Sequence, residues 1–241
     1  MLKLATKFVP ERDAFRTAVA AGYEFAELWT SAQILADWQA VAEEAERHPL
    51  RYTLHFPNRQ ELPAETIVEA VALYRRLDCR AMVMHEPQLA SYGQRLCGLL
   101  PDICLAVENH YVARPEMFAW AEKFTFLTLD FEHLWKFTLG DVPLGEFIRV
   151  AGEFLQRYGD KLRHVHLPGY LPGFDEHRPM YCSRDMTFAV WNLLGDIDFQ
   201  GFVVSEVDVP YQNTPELRMD VLLLEAWKRQ RSGTVAQNVA D

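Results

Sequence analysis

The sequence predicts one closed barrel of eight parallel strands and eight helices, a (β/α)8 barrel, on three observations. Short apolar runs rich in β-branched and aromatic residues recur along the chain, and a segment with helical periodicity follows each run. The length of 241 residues is close to that of one complete barrel. No glycine-rich phosphate-binding motif follows any run, so an open nucleotide-binding sheet has no support.

The predicted strands are short, and most of them end in a histidine or a carboxylate. The run that ends at His166 has the period-2 pattern of a strand with one face toward a core. The eight predicted strands are Leu2–Phe8, Tyr23–Trp29, Arg51–Phe56, Ala81–His85, Cys104–His110, Phe124–Asp130, Leu162–His166 and Gly201–Glu206.

The segments between the strands have helical spacing, and several begin with proline. Proline is tolerated in a first helical turn because the N–H that it lacks has no partner there. Thr214 before Pro215 is a good N-cap for the last helix. The predicted helices are Glu11–Ala21, Ile34–Arg47, Pro63–Leu77, Gln88–Leu100, Pro115–Lys123, Pro143–Tyr158, Met186–Leu194 and Pro215–Arg229.

Composition favours one domain in a reducing compartment. We expect a single barrel domain over residues 1–231 and a flexible C-terminal tail over residues 232–241, which are small and polar. The four cysteines are scattered without C-x-x-C spacing, which favours the cytoplasm over a disulfide framework. The N-terminus is typical of a first strand rather than a signal peptide, and no apolar run is long enough to span a membrane.

The formal net charge of −10 indicates a small molecule rather than a nucleic acid as the partner. An acidic surface opposes binding to a polyphosphate backbone, although a local basic rim can override the total charge. The sequence leaves the oligomeric state open.

Potential metal ligands cluster where the predicted strands end, which is the catalytic face of a (β/α)8 barrel. Of the eight histidines, all but His48 lie at a strand end or in the loop after it. One such histidine is usually a core residue, but seven together with several carboxylates indicate a binding site. His164 lies one layer deeper than His166, where it supports a ligand or fills the core. The other clustered residues are Glu27, His55, His85, Glu108, His110, Asp130, His133, Asp175, His177 and Glu206.

Charge is the physical reason to expect cations at this cluster. Several carboxylates in one barrel mouth repel one another unless a cation neutralises them, and imidazoles supply neutral nitrogen ligands. Nitrogen and oxygen ligands without thiolate suit Zn²⁺, Mn²⁺, Fe²⁺ or Co²⁺. The cluster holds more side chains than one centre uses, so we expect two or three divalent ions per chain.

Five motifs follow one another at these strand ends: Val-Glu-Asn-His at 107–110, Leu-Asp-x-x-His at 129–133, His-Val-His-Leu at 164–167, Asp-Glu-His at 175–177 and Ser-Glu at 205–206. In this order they resemble the xylose-isomerase-like TIM barrel superfamily. That superfamily contains sugar and sugar-phosphate isomerases and epimerases, and the endonuclease IV family of apurinic-site nucleases. The resemblance extends from Leu2 to about Trp227.

The isomerase and epimerase branch implies one metal site and an acid/base pair. Glu108 and Glu206 would move a proton at a substrate carbon while the metal holds the adjacent sugar oxygens. The metal ligands implied are Glu108, Asp130, His166 and Glu206.

The nuclease branch implies a trinuclear zinc site, which would suit phosphoester cleavage because clustered cations activate water and hold the leaving oxygen. The three ligand sets implied are His55, His85 and Glu108; Glu108, Asp130, His166 and Glu206; and His133, Asp175 and His177.

Our first hypothesis is a divalent-metal-dependent isomerase or epimerase of a small sugar, sugar phosphate or related polyhydroxy compound. The acidic charge and short loops suit a small ligand better than a polymer. The alternative is an endonuclease IV-like phosphoesterase, and a barrel that keeps its ligands only for binding is a third reading. The chain departs from both branches, since Pro168-Gly169 replaces an Asn-Asp of the nucleases, and Arg114 and Pro172 replace substrate-binding residues of the ketohexose epimerases.

Four residues near the rim are predicted substrate contacts. Arg178 and Arg184 could take a phosphate or carboxylate, and the alternative is that they are ordinary surface charges. Tyr170 and Trp135 could stack on a sugar face, and the alternative is that they pack the rim.

Overall fold

In a computed structural model, the chain forms a closed barrel of eight parallel strands in which the last strand pairs with the first. The structure describes residues 2–174 and 177–238, with side chains through Arg231. The eight predicted strands are confirmed, with ends shifted by at most two residues. They are β1 (Lys3–Phe8), β2 (Phe25–Trp29), β3 (Arg51–His55), β4 (Met82–His85), β5 (Leu105–Glu108), β6 (Phe126–Asp130), β7 (Leu162–His166) and β8 (Phe202–Ser205).

Helices connect successive strands, as the alternating pattern predicts. Within the described residues they are α1 (Arg12–Ala21), α2 (Ala32–Leu35), α3 (Trp38–Ala45), α4 (Ala64–Arg76), α5 (Glu86–Leu99), α6 (Met117–Lys123), α7 (Phe131–His133), α8 (Leu144–Tyr158), α9 (Arg184–Asp196) and α10 (Thr214–Asn238).

Alternation along the strands divides the apolar residues into two groups. A small buried cluster of Ala5, Phe202 and Val204, with Phe25 packed against it, is separate from the large core. That large core contains fully buried side chains from the outer helices, such as Phe15 and Phe147. Because each strand continues past its apolar residues, the polar strand ends lie together at one mouth of the barrel.

Two predicted segments differ from the structure. The predicted helix over Ile34–Arg47 is two helices, because Asp37 leaves helical geometry at φ −114° and ψ 36°. The first of them is capped by Ser31, whose hydroxyl accepts from the Ile34 N–H at 3.3 Å. The last helix, α10, continues to Asn238, beyond its predicted end at Arg229, and the flexible tail over residues 232–241 remains a prediction. No helix in the described part of the chain combines the length and apolarity needed to cross a membrane.

The chain after β6 turns directly into α7 and one π-helical turn (Leu134–Thr138), which the sequence pattern does not predict. Asp130 starts this segment, since its Oδ1 accepts from the His133 N–H at 2.8 Å. Asn109 holds the Asp130 backbone on the other side, donating to its carbonyl at 2.9 Å and accepting from its N–H at 2.6 Å. Asp130 is thus fixed in place while its second oxygen, Oδ2, has no hydrogen bond within the described part of the chain.

Candidate metal centre and active site

Four neighbouring strand ends place the predicted isomerase ligands at one mouth of the barrel. Glu108 ends β5, Asp130 ends β6, His166 ends β7 and Glu206 directly follows β8. The register pairs Asp130 with His166 across β6 and β7. Glu108, Asp130 and His166 are buried, and the Glu206 side chain is 19% exposed.

The ring nitrogen Nδ1 of His166 lies among oxygens of the three carboxylates. It is 3.1 Å from Glu206 Oε2, 3.6 Å from Asp130 Oδ2 and 3.6 Å from Glu108 Oε2. A tetrahedral ion with bonds of about 2.0–2.2 Å separates its ligand atoms by roughly 3.3–3.6 Å. Glu108, Asp130 and His166 form a group whose ligand atoms lie close enough together to hold one divalent cation, and Glu206 contacts the same His166 nitrogen.

The other ring nitrogen of His166 is held by a carboxylate, which fixes the tautomer. Nε2 of His166 donates to Glu27 Oε2 at 3.1 Å, which leaves Nδ1, facing the three carboxylates, as the nitrogen that would bind a metal. His164 contacts the same Glu27 oxygen through its Nε2 at 2.5 Å. A carboxylate behind a histidine ligand orients the ring and raises its basicity. The donor set and this support both fit a metal site.

Lys7 provides a fixed positive charge at the same mouth. Its ammonium donates to Glu206 Oε1 at 2.7 Å and lies 3.2 Å from Glu27 Oε1. Its side chain is 9% exposed, so both contacts are protected from water. Lys7 therefore neutralises part of the carboxylate charge at the mouth of the barrel.

The electrostatics keep the mouth ionised. Burial alone would raise the pKa of Glu206, but the Lys7 ammonium and His166 lower it to about 2. Burial likewise opposes ionisation of Glu108, and His166 and the neighbouring imidazoles hold its pKa well below the ordinary range. Burial would lower the pKa of His166, but Glu27 and Glu206 raise it well above normal. A proton thus occupies His166 when no metal does, and metal binding must displace it.

A second group of potential ligands lies on the β3–β4 side of Glu108. The Nε2 atoms of His55 and His85 each lie 3.4 Å from Glu108 Oε2. His55 donates from Nδ1 to the Phe56 carbonyl at 2.9 Å, so its Nε2 carries the lone pair that a metal needs. Burial lowers the pKa of His55, which keeps the ring neutral. His55, His85 and Glu108, which were predicted as one set, do lie close together. Glu108 belongs to this group and also to the group with Asp130 and His166.

The residues predicted for a third ion form no group of ligand atoms within the described part of the chain. His133 Nδ1 is 3.2 Å from Glu108 Oε1 and 3.8 Å from Asp130 Oδ2, so this ring faces the first group. Burial opposes its charge, but Asp130 and Glu108 raise the pKa of His133 to about 9. Asp175 lies outside the described residues.

His177 lies on the loop after β7, next to different carboxylates. Its ring nitrogens are 3.8 Å from Glu132 and 3.8 Å from Asp208, and its backbone is left-handed at φ 52°. Backbone hydrogen bonds of 2.6 and 3.0 Å between Gly169 and Arg178 close this loop. A Cβ atom at Gly169 would lie 2.0 Å from the Pro179 carbonyl oxygen, so the closure requires glycine. The third set of ligands remains a prediction.

The predicted aromatic substrate contacts are buried beside the outer helices. Trp135 stacks on Phe147 at 4.8 Å and donates its indole N–H to the Val142 carbonyl at 2.7 Å. Tyr170 is 1% exposed and donates to Asp141 Oδ1 at 2.7 Å. Packing and hydrogen bonds account for both side chains, and a role in stacking on substrate has no added support.

The predicted arginine contacts lie near the end of the β7 loop. Arg178 forms the backbone bridge with Gly169, and Arg184 lies at the start of α9 with its guanidinium 4.9 Å from the Phe188 ring. Arg184 is exposed beside a cleft that Tyr170 and Trp135 also line. Their contact with a substrate phosphate or carboxylate remains a prediction.

Sequence reasoning missed Lys7 as part of the site and did not assign Glu27 a role. Side chains two residues apart on a strand point to the same face, and Lys7 and Glu27 follow Ala5 and Phe25 of the inner apolar cluster by two residues. This spacing was the signal in the sequence that both side chains face the inside of the barrel. His110 was assigned no role either. Its ring stacks on His85 at 4.6 Å, and burial, followed by His85 and His133, lowers its pKa to about 4.

Comparison with known proteins gives likeness at the level of structure. No family model matches the sequence, and no curated protein matches it. A D-tagatose 3-epimerase-like protein matches with a TM-score of 0.67 and 14% identity over 97% of this chain and 100% of the other. A D-allulose 3-epimerase from Methylomonas sp., solved with D-allulose, matches with a TM-score of 0.60 and 16% identity over 95% and 96%.

An L-ribulose 3-epimerase matches with a TM-score of 0.56 and 15% identity over 97% of this chain and 98% of the other. Sequence identities this low leave the reaction to be argued from the side chains at the barrel mouth. The chain therefore shares, over nearly its whole length, the (β/α)8 barrel fold of these sugar 3-epimerase structures.

Proposed function

We propose that the protein is a divalent-metal-dependent isomerase or epimerase that acts on a small sugar, sugar phosphate or related polyhydroxy compound. The observation that carries the proposal is the convergence of three carboxylates on His166 Nδ1 at 3.1–3.6 Å, with Glu27 behind the ring. The similar barrels named above include epimerases of D-allulose and L-ribulose, which supports a sugar as the substrate class.

Glu108 and Glu206 are the proposed acid/base pair. A divalent ion held by this ligand set would polarise adjacent substrate oxygens and stabilise negative charge that develops on them. Glu206 is ionised at neutral pH because Lys7 donates to it, so it can accept a proton from a substrate carbon. Glu108, whose Oε2 lies 3.6 Å from the same His166 nitrogen that Glu206 contacts, is the proposed group that returns a proton.

The test is exchange of a carbon-bound proton with solvent. In D2O, wild-type protein loaded with Mn²⁺, Co²⁺ or Zn²⁺ should introduce deuterium into a responsive substrate from a panel of ketohexoses, pentuloses and sugar phosphates. Glu206→Gln should stop the exchange while the neutral amide leaves partial metal binding. Glu24→Gln, at an exposed position before β2, is the matched control and should exchange at the wild-type rate.

One observation favours a second function, a metal-dependent phosphoesterase of the endonuclease IV type. His55 and His85 lie 3.4 Å from Glu108, and the three side chains could hold the second ion that phosphoester cleavage would use. In that case the ions carry the chemistry, and replacing His133 or His177 by alanine should be as damaging as replacing a glutamate.

The two functions separate in one parallel assay. The same metal-loaded preparations are given the sugar panel in D2O and an oligonucleotide with an abasic site. Cleavage of the oligonucleotide with no deuterium in any sugar would overturn the isomerase proposal in favour of the phosphoesterase.

A further inference from the structure

A cleft of about 530 Å³ opens at the end of the barrel opposite the metal ligands. Its walls come from the starts of strands on two sides of the barrel, including Arg80 before β4, Arg163 at the start of β7 and Gln200 before β8. Thr53, on β3, also lines it. The polar walls and the size suit a small polar molecule rather than an apolar one.

Arg80 and Arg163 line this cleft, and Lys3 and Arg51 lie nearby; we call these four cations the basal cluster. Lys3 donates to the Gln200 carbonyl at 2.6 Å, which places its ammonium beside the cleft. Burial, followed by Arg80 and Arg51, lowers the pKa of Lys3, so these charges are close enough to repel. Within the described residues, Arg163 donates to the backbone carbonyls of Asp160 and Leu162, at 2.6 and 3.1 Å, and to no carboxylate.

None of the four forms an ion pair with a carboxylate in the described part of the chain. Asp78 lines the cleft but is not paired with them. In a chain with 34 acidic and 24 basic residues, unpaired cations are not expected to gather by chance. Repulsion within such a group is relieved when an anion binds.

Thr53 adds an observation that does not depend on charge. It is two residues further into the barrel along β3 than Arg51, and it is 1% exposed. Its hydroxyl has no hydrogen-bond partner in the described part of the chain, although it lines the cleft. A buried hydroxyl without a partner costs free energy, and an oxygen of a bound anion would satisfy it.

We propose that this cleft binds the phosphate group of a small molecule, with the basal cluster and the Thr53 hydroxyl as its ligands. Arginine presents paired N–H donors that match phosphate oxygens, and a threonine hydroxyl donates a further hydrogen bond. The site is separate from the metal ligands and does not depend on the reaction proposed for them.

Calorimetric titration of the full chain with inorganic phosphate and with pyrophosphate, at constant ionic strength, tests the site. Wild type should bind both, and pyrophosphate more tightly because it carries more charge. The double variant Arg51→Gln/Arg80→Gln should weaken binding by about tenfold or more. Thr53→Val removes only the hydroxyl and should weaken binding by about three- to tenfold with the net charge unchanged.

A double variant with the same change in net charge serves as the control. Arg95→Gln/Arg149→Gln removes two exposed arginines from α5 and α8 and should keep the affinity within about twofold of wild type. Absence of binding to wild type overturns the proposal. Equal losses in the two double variants, or full affinity in Thr53→Val, would mean a diffuse charge effect. Binding that survives both the double variant and Thr53→Val would place the anion elsewhere, at the metal ligands for instance.

Discussion

Glu108 is the residue on which both potential metal groups depend. It lies 3.4 Å from the ring nitrogens of His55 and His85, 3.2 Å from that of His133 and 3.6 Å from Nδ1 of His166. One carboxylate among four imidazoles can bridge two cations, since its two oxygens offer several lone pairs. Single substitutions around it should therefore separate the two groups.

We predict that His85→Ala removes one divalent ion per chain and leaves the other. The substitution takes a nitrogen ligand from the His55–Glu108 side and leaves Asp130, His166 and Glu206 untouched. Elemental analysis of purified protein measures the change. His48→Ala is the control, because His48 stacks on Phe15 at 5.2 Å, away from the mouth, and should leave the metal content unchanged. Equal metal content in His85→Ala and wild type would make His85 a substrate contact instead.

We predict that Glu27→Gln lowers the affinity for the ion proposed beside His166 by about 10- to 100-fold. The amide loses the negative charge that holds His166 Nε2 and the Lys7 ammonium. A competitive chelator titration gives the affinity. Glu24→Gln changes an exposed carboxylate three residues earlier and should match wild type. An unchanged affinity in Glu27→Gln would show that the support behind His166 is not needed.

The ligand residues could be predicted because side-chain types repeat at strand ends with period 2. The contacts of Lys7 with Glu27 and Glu206 could not, since they join positions 20 and 199 residues apart and depend on how the barrel closes. The burial of Tyr170 could not be predicted from the sequence either, because its hydrogen-bond partner Asp141 lies in a turn that the sequence pattern does not define.

At the scale of elements, strands were easier to predict than the segments that join them. Parallel strands buried on both faces are near-continuous apolar runs, which are visible in the sequence. The break between α2 and α3 at Asp37 could not be predicted, because no glycine or proline marks it in the sequence. The π-helical turn after β6 arises because Asp130 both caps the segment and faces the mouth, a double role that no local pattern encodes.

A prediction at this scale concerns the contact between β8 and α10. Asp220 of α10 is fully buried and accepts from the Ser205 hydroxyl at 2.6 Å and the Tyr181 N–H at 3.3 Å. Burial raises its pKa from an ordinary 3.8 to about 6, although these hydrogen bonds oppose the rise. Between those two values the folded state binds more protons than the unfolded state, so stability falls as the pH rises.

Asp220→Asn should remove this dependence. Relative to the variant, wild type should lose about 2–3 kcal/mol of unfolding free energy between pH 4 and pH 7. Urea unfolding at several pH values measures the difference, and Asp185→Asn on the exposed side of α9 should run parallel to wild type. Parallel curves for wild type and Asp220→Asn would mean that folding does not shift the pKa of Asp220.

At the scale of the whole molecule, charge is distributed along the barrel axis. The mouth at the strand C-termini gathers carboxylates with Lys7 among them, and the opposite end carries the basal cluster, although the chain as a whole has a net charge of −10. The net charge of the whole chain therefore describes neither end of the molecule.

We predict that metal removal destabilises the whole barrel. Glu108, Asp130 and Glu206 come from three strands, so a cation between them links β5, β6 and β8 through ligand bonds. A cation at about 100 times its Kd adds about 2.7 kcal/mol, which corresponds to a rise in Tm of roughly 5–10 °C for a domain of this size. Calorimetry before and after chelation, and after Mn²⁺ or Zn²⁺ is restored, measures it. Identical melting curves in all three states would contradict a bound ion.

The sharing of Glu108 also limits the evolutionary routes open to this barrel. A lineage can lose His55 or His85 through single substitutions and keep the other candidate group intact, whereas any replacement of Glu108 changes both candidate groups in one step. Descendants are therefore expected to diverge first on β3 and β4, and to change the end of β5 only when the chemistry is abandoned. A barrel that gains a second ion site by acquiring histidines on β3 and β4 would already have Glu108, the glutamate that both sites share.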